Sequence, residues 1–330
     1  MLFFDDFYSN LKNKKNIFYM YFSTGLLHFA LESVSQVPSE VNLIILAAGV
    51  TDDERRIMEQ MIKRPICYFS KVYTDGVIWE LLFYKNQFNF GWLDVDCFVF
   101  DKTIFEDLAN IDNSIGVNTV WAGKYDRYQI DEWLANTFLV FYNAGIIHEI
   151  MMKYEYILPK IAKFPEKNLS VLGKDSYTEI DMRAVNVIKN RYPSFEENTR
   201  GYFDTTHLYQ LFVLAENYKI QRIRNVDSLR EYYFEGALHL GGCNRIHVNK
   251  LDDPRTNVVF KFNMRMSYLL LCKYLPILAQ SYNEIYQIFT KTLKENGLRI
   301  DKESMRENVK RYMERNGMNR ELINLGDKVE

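Results

Sequence analysis

The sequence predicts an α/β fold: a mostly parallel sheet flanked by helices, with a helical extension at the C-terminus. Three observations carry that expectation. Strand-like and helix-like segments alternate four times within the first 110 residues, an order that favours a parallel sheet covered on both faces. A polar cluster follows each of those strand-like runs, where open α/β sheets bind their ligands. Beyond about Asp252 the pattern turns helical and more charged, without strand periodicity.

Taken in order, Ile17 to Phe22 is an apolar, aromatic run that predicts a buried strand, broken by Ser23-Thr24-Gly25. Leu26 to Val34 predicts a helix, and Asn42 to Ala48 a second strand ended by Gly49. Thr51-Asp52-Asp53-Glu54 is a capping box opening a helix to about Lys63. Ile66 to Ser70 predicts the third strand, Asp75 to Tyr84 a helix, and Phe88 to Leu93 the fourth strand. Thr103 and Glu106 suggest a capped short helix. Ser114 to Ala122 and Thr137 to Tyr142 predict further strands. Ile146 to Tyr154 and Glu179 to Tyr192 predict helices, with a loop over Ile157 to Gly173. Ala237 to Arg245 is a short strand running into a glycine-rich turn. These elements divide into a catalytic domain at 1–250 and a helical extension at 251–330.

Composition narrows the function classes. Hydrophobic residues are 48% of the chain and aromatics 15%, enough for a large core and against disorder. A net charge of −2 provides no global field for nucleic acid. Cys67, Cys97, Cys243 and Cys272 lie far apart with no Cys-x-x-Cys pair, which argues against a zinc knuckle and for reduced thiols in a cytoplasmic protein. The N-terminus lacks the pattern of a signal peptide. The most apolar late run, Tyr268 to Leu278, is too short for a transmembrane span.

The clearest chemical signal is Asn89 to Asp101, where Asp94 and Asp96 stand one residue apart between Gly-Trp-Leu and Phe-Val-Phe. On a strand, positions i and i+2 share a face, so both carboxylates can face one Mn²⁺ or Mg²⁺ ion, a hard cation that also keeps phosphate oxygens as ligands. The bland alternative is a solvated strand-end pair; the apolar flanks favour the metal. His239 lies in an apolar segment and offers a third ligand. Gly241 and Gly242 after it permit close backbone approach to phosphate, and Arg245 follows.

These motifs resemble the GT-A-fold (Rossmann-like) glycosyltransferases, closest to the retaining glycogenin-like and galactosyltransferase-like group, over roughly residues 16 to 245. Trp92-Leu93-Asp94-Val95-Asp96 matches that group's metal motif, and Tyr142-Asn143-Ala144-Gly145-Ile146 resembles its Phe-Asn-(Ser/Ala)-Gly-Val. Asp181 to Asn186 keeps the ends of its Asp-Gln-x-x-Leu-Asn, with Met182 in place of Gln. His239 and Gly242 fit its late His followed by a Gly, with Asn244-Arg245-Ile246 in place of Lys-Pro-Trp.

The resemblance implies a mixed, mostly parallel sheet. It also implies transfer of a sugar from a nucleotide-sugar donor, a UDP-sugar by preference, to a saccharide, protein or small-molecule acceptor, with retention. Asp94, Asp96 and His239 would hold the metal. Asn143 and Asp181 would touch the donor sugar, Ser23, Thr24 and Asp52 the nucleoside, and Arg245 the diphosphate.

Competing readings are a sugar-phosphate nucleotidyltransferase, a dehalogenase-type phosphatase and a degenerate, non-catalytic partner subunit. The nucleotidyltransferase needs a Gly-rich, Arg-containing first loop, whereas Ser23-Thr24-Gly25-Leu26 stands here. The phosphatase needs its Asp-x-Asp on the first strand. Trp79, Trp92, Trp121 and Trp133 read as core, Trp121 being the best exception as a sugar platform. Asp126-Arg127-Tyr128 is a candidate cover for the acceptor. The mixed-charge C-terminal helices read as a solvated cap, with a dimer contact or peripheral membrane contact as the alternative.

Overall fold

The computed structural model describes residues 2–154, 178–179, 182–196, 202–203, 206–224, 233–234, 236–240, 257–278, 280 and 282–315. The first third alternates as the sequence predicts: helix α1 (Leu2–Ser9), strand β1 (Ile17–Ser23), α2 (Leu27–Gln36), β2 (Leu43–Ala48), α3 (Asp52–Met61), β3 (Ile66–Phe69), α4 (Asp75–Lys85) and β4 (Phe90–Leu93). Then come β5 (Cys97–Val99), α5 (Thr103–Ala109), β6 (Ile115–Thr119), β7 (Ala122–Gly123), β8 (Leu134–Ala135), β9 (Leu139–Tyr142) and α6 (Ala144–Lys153). The rest comprises β10 (Thr178–Glu179), α7 (Met182–Arg191), β11 (Tyr202–Phe203), α8 (His207–Ala215), β12 (Lys219–Arg222), β13 (Tyr233–Phe234) and β14 (Ala237–His239). Three helices follow, α9 (Asn257–Tyr274), α10 (Tyr282–Glu295) and α11 (Lys302–Arg315).

The main sheet has seven strands in the order β12-β6-β9-β4-β1-β2-β3. β1 runs parallel to β2 and β4, β2 to β3, and β6 to β12, while β9 is antiparallel to both of its neighbours. The sheet is therefore mixed and mostly parallel.

Burial on both faces explains the unbroken apolar strands. Phe18, Met20 and Phe22 of β1 enter one core with α2, α5 and the C-terminal helices. Ile17, Tyr19 and Tyr21 enter the other, with α1, α4, α6, α7 and α8. Gly91 of β4 lies between Phe18 and Phe141 in the register. A Cβ there would come within 2.5 Å of the Phe18 ring and 2.8 Å of the Phe141 ring, so only glycine lets those rings meet across β4.

The C-terminal helices share the first core rather than forming one of their own: Phe262, Met266, Leu270, Phe289 and Met313 all lie in it. Lys273 of α9 pairs with the buried Glu32 of α2 at 2.7 Å, and the Tyr274 hydroxyl donates to the same carboxylate at 2.8 Å. Such a pair specifies where α9 sits more than it stabilises the fold.

Several local expectations change. The turn into α5 is held by Asp101, which accepts from the Thr103 N–H (3.0 Å) and hydroxyl (2.8 Å), so Thr103 is not its cap. β5 and the polar edge strand β12 form through pairing that local periodicity does not reveal. Trp133 is 41% exposed and is not core, whereas Trp79 and Trp92 stack in the core at 4.6 Å. Among the described residues no helix is long and apolar enough to cross a membrane.

Candidate functional site

The parallel direction of β1 to β4 brings their carboxyl ends to one rim: Ser23 pairs with Ala48, the Thr24 N–H donates to the Ala48 carbonyl (3.1 Å), and the Gly49 N–H donates to that of Phe69 (2.9 Å). At the β4 end of this rim the chain turns sharply. The Cys97 N–H donates to the Asp94 carbonyl at 3.0 Å, closing a turn over residues 94–97. Asp94 and Asp96 thus lie in a tight turn after the strand, and the turn, not strand alternation, brings their carboxylates together.

β14 completes the group. It pairs antiparallel with β5, setting His239 opposite Cys97, and the Leu240 N–H donates to the Asp96 carbonyl at 3.0 Å. The strand is preceded by Gly236, whose φ of +88° belongs to the left-handed region and whose added Cβ would lie 2.3 Å from the Asp101 Cβ. Phe100 and Asp101 both donate their N–H groups to the Gly236 carbonyl at this close crossing. The His239 ring stacks on Phe138 at 4.3 Å.

His239 Nε2 lies 3.7 Å from Asp94 Oδ2 and 3.5 Å from Asp96 Oδ1. One ligand atom from each residue falls within 4.8 Å of the others. Ligand atoms around one octahedral ion held at about 2.1 Å sit roughly 3 Å apart, so a small contraction would place all three on a cation. A carboxylate pair with one imidazole suits Mn²⁺ or Mg²⁺, the imidazole favouring the former.

The electrostatics fit a cation. Burial pushes the Asp94 carboxyl up to about 7; the charges of Asp96 and Asp75 add to the rise, while His239 and the Trp92 indole oppose it. That indole N–H donates to Asp94 Oδ1 at 2.5 Å. A divalent ion at the group would reverse the balance. The Asp94 side chain is 33% exposed, against 10% for Asp96 and 11% for His239, so Asp94 marks the open side through which a ligand reaches the group.

The residues expected at the nucleoside share the rim but not one environment. Ser23 is half-buried, and Thr24 and Asp52 are exposed. The Thr24 hydroxyl is already engaged, donating to Glu54 at 2.7 Å. Glu54 is buried and also accepts from the Gly25 N–H (2.9 Å), the Thr51 N–H (2.9 Å) and the Tyr282 hydroxyl of α10 (2.7 Å). The capping box of α3 forms as expected from its sequence. Burial alone would raise the Glu54 carboxyl, but these hydrogen bonds together hold it below the usual range.

Asn143 does not join the group. It follows β9, which runs against β4: Leu93 pairs with Leu139 and Phe90 with Tyr142. Asn143 therefore lies at the opposite edge of the sheet from Asp94. There it caps α6, accepting from the Ile146 N–H at 3.3 Å and donating to the Asp112 carbonyl at 3.1 Å. The residue that lies beside Asp94 is instead Phe138, which leads into β9: the Asp94 N–H donates to its carbonyl at 2.8 Å. Its sequence signal is the polar pair Asn136-Thr137 just before an apolar run. Asp181, Gly241, Gly242 and Arg245 lie outside the described residues.

Comparison with known proteins connects this architecture to sugar transfer. Residues 1–147 match the family profile described as the StrH glycosyltransferase N-terminal domain. A stretch of 104 residues is 29% identical to the dTDP-dihydrostreptose--streptidine-6-phosphate dihydrostreptosyltransferase of Streptomyces griseus, covering 31% of this chain. The match spans only 27% of that relative's length. Among solved structures, the WbbM bifunctional glycosyltransferase aligns over 43% of this chain and 35% of its own, at 8% identity and a TM-score of 0.31. The glycosyltransferase GlyE of Streptococcus pneumoniae aligns over 54% and 48%, at 14% identity and 0.29. A cytidylyltransferase of Leptospira borgpetersenii aligns over 59% and 83%, at 13% identity and 0.29. Structural likenesses this slight establish neither a common fold nor a common activity. The N-terminal 147 residues, which carry Asp94 and Asp96, are thus similar to a glycosyltransferase domain.

Proposed function

We propose that this chain is a glycosyltransferase of GT-A type that moves a sugar from a nucleoside-diphosphate sugar to an acceptor with the help of Mn²⁺ or Mg²⁺. The observation that carries the reading is the convergence of Asp94, Asp96 and His239 from two distant segments at the carboxyl end of β4. The match of residues 1–147 to a glycosyltransferase domain supports it.

Asp94, Asp96 and His239 would hold the ion, which supplies a positive charge against the diphosphate leaving group. Phe138 orients the His239 ring by stacking on it. The Trp92 indole fixes one Asp94 oxygen, leaving Oδ2 toward His239. The half-buried Ser23 and the exposed Asp52 border the rim on which the nucleoside would lie. By the same reading, Asp181 addresses the donor sugar, with retention as the expected stereochemistry, and Gly241, Gly242 and Arg245 address the diphosphate.

The Streptomyces griseus relative is named for a dTDP-sugar donor and a phosphorylated acceptor, so dTDP-sugars stand beside UDP-sugars as donors to test. The test is turnover and binding of a panel of UDP- and dTDP-sugars by the full chain, with and without Mn²⁺. Metal-dependent release of nucleoside diphosphate supports the reading; neither metal-dependent turnover nor binding with any donor sinks it.

A further inference from the structure

Across the same rim from Asp94 stands an exposed tryptophan braced by cations. β12 pairs with β6 so that Arg222 is opposite Thr119; Thr119 is opposite Val140, and Val140 is opposite Trp92. Arg222 is therefore level with Trp92, at the carboxyl-end rim, three strands from β4. At the usual strand spacing that is about 14 Å.

Ile220, two residues earlier on β12, packs against the core that contains Trp92 and Tyr142, so Arg222 points to that same side of the sheet. Asp94 turns its carboxylate to that side as well, since it takes the Trp92 indole.

There the Arg222 guanidinium lies over the Trp133 ring, 4.5 Å from its centre, and the Lys124 ammonium lies 5.5 Å from it. Trp133 leads into β8, and its side chain keeps 41% of its surface exposed. The nearby acidic groups are already engaged: Asp131 pairs with Lys124, and Glu132 accepts from the Tyr192 hydroxyl at 3.2 Å. Among the described residues Arg222 meets the Trp133 ring and forms no ion pair, whereas Arg224 takes Asp101 and Asp107. A guanidinium placed in this way pays part of its ordering entropy against the indole and keeps donors for a bidentate anion.

We infer that Trp133 and Arg222 form an acceptor subsite for a phosphorylated sugar or cyclitol, the indole packing on the ring and the guanidinium taking the phosphate. The inference rests on the glycosyltransferase reading for the word acceptor, but the binding itself does not. A cation joined to an exposed aromatic surface selects a ligand with both an anionic group and an apolar ring face. Neither glucose nor inorganic phosphate satisfies both halves.

The test uses the full chain, labelled with ¹⁵N and free of metal and donor. It is titrated with glucose 1-phosphate, glucose 6-phosphate, myo-inositol 1-phosphate, glucose and inorganic phosphate. The four tryptophans give separable indole resonances, and Trp133→Phe identifies the one in question. A sugar or cyclitol phosphate should shift the Trp133 indole, bind more tightly than glucose or phosphate alone, and weaken roughly 10- to 100-fold in Arg222→Gln. Arg222→Lys, which keeps the charge but loses the planar fork, should retain part of the affinity.

The inference is overturned if none of the phosphorylated probes moves this resonance, if inorganic phosphate binds as well as they do, or if Arg222→Gln binds unchanged. It is also overturned if the resonance follows protein concentration, which would mark a contact between copies. Because these titrations contain neither metal nor donor, their failure is distinct from failure of Mn²⁺-dependent donor turnover in the unaltered chain.

Discussion

Two stretches of the same rim carry acidic side chains, and the fold uses them in opposite ways. At the end of β4, Asp94 and Asp96 face His239, and among the described residues the Trp92 indole is the side-chain donor to Asp94. At the ends of β1 and β2, Glu54 is surrounded by donors from Thr24, Gly25, Thr51 and Tyr282. In the first group burial, with the Asp96 charge adding to it, holds the Asp94 carboxyl up to about 7; in the second the hydrogen bonds outweigh burial and hold Glu54 below its ordinary range. A carboxylate supplied with hydrogen bonds is structural, whereas carboxylates crowded together call for a cation. Position on the rim is shared by both and does not separate them.

The comparison can be broken at its strongest point first. Asp96→Asn should lower metal-dependent donor turnover by about 10²–10³-fold, while the thermal midpoint of the metal-free protein does not fall. Unchanged turnover would remove Asp96 from the metal group.

Glu54→Ala should cost about 3 kcal/mol of stability, because four donors lose their acceptor together. The measure is the urea midpoint at constant slope, and a midpoint equal to that of the parent chain would show that the network is ornamental. The wild-type contribution also has a sign in pH: the Glu54 carboxyl is held low in the fold, so its stabilisation is present above the ordinary glutamate range and is lost as pH falls through the folded value.

Asp94 has the opposite sign. Its folded pKa, about 7, lies above the unfolded value, so the metal-free fold binds more protons than the unfolded chain between those two values. Stability without metal should therefore decline as pH rises through that window. Asp94→Asn should raise the urea midpoint of metal-free protein at pH 7.5 while weakening Mn²⁺ binding. A lower midpoint in that variant, measured beside the parent chain, would contradict the burial cost of the Asp94 carboxylate. The smallest expected effect is Thr51→Ala, about 1 kcal/mol for the lost cap, read from the same urea transition.

Much of the architecture was legible because its causes are local. The apolar runs at Ile17 to Phe22 and Asn42 to Ala48, the capping box at Thr51, and the Asp94-Val95-Asp96 signal depend on side-chain periodicity and short-range hydrogen bonds. Those properties are written in consecutive residues, and the observed elements follow them within one or two positions. His239 was also accessible, since a histidine between apolar residues and two glycines is visible in the chain itself.

Direction and long-range pairing were not. Asn143 stood in a motif that resembles a donor-sugar contact, yet β9 runs against β4 and carries it to the far edge, leaving Phe138 beside Asp94. Thr24 had the composition of a nucleoside contact, and its hydroxyl is held by Glu54 beneath a tyrosine from α10, more than two hundred residues away in sequence. Arg222 and Trp133 meet only because β12 joins the sheet edge beside β6. The sequence by itself determined which segments become strands and helices and which carboxylates stand at a turn, because those choices are made by neighbours along the chain. Tertiary structure alone decided which polar groups face one another, because strand direction and register are chosen by how both faces of the sheet are buried.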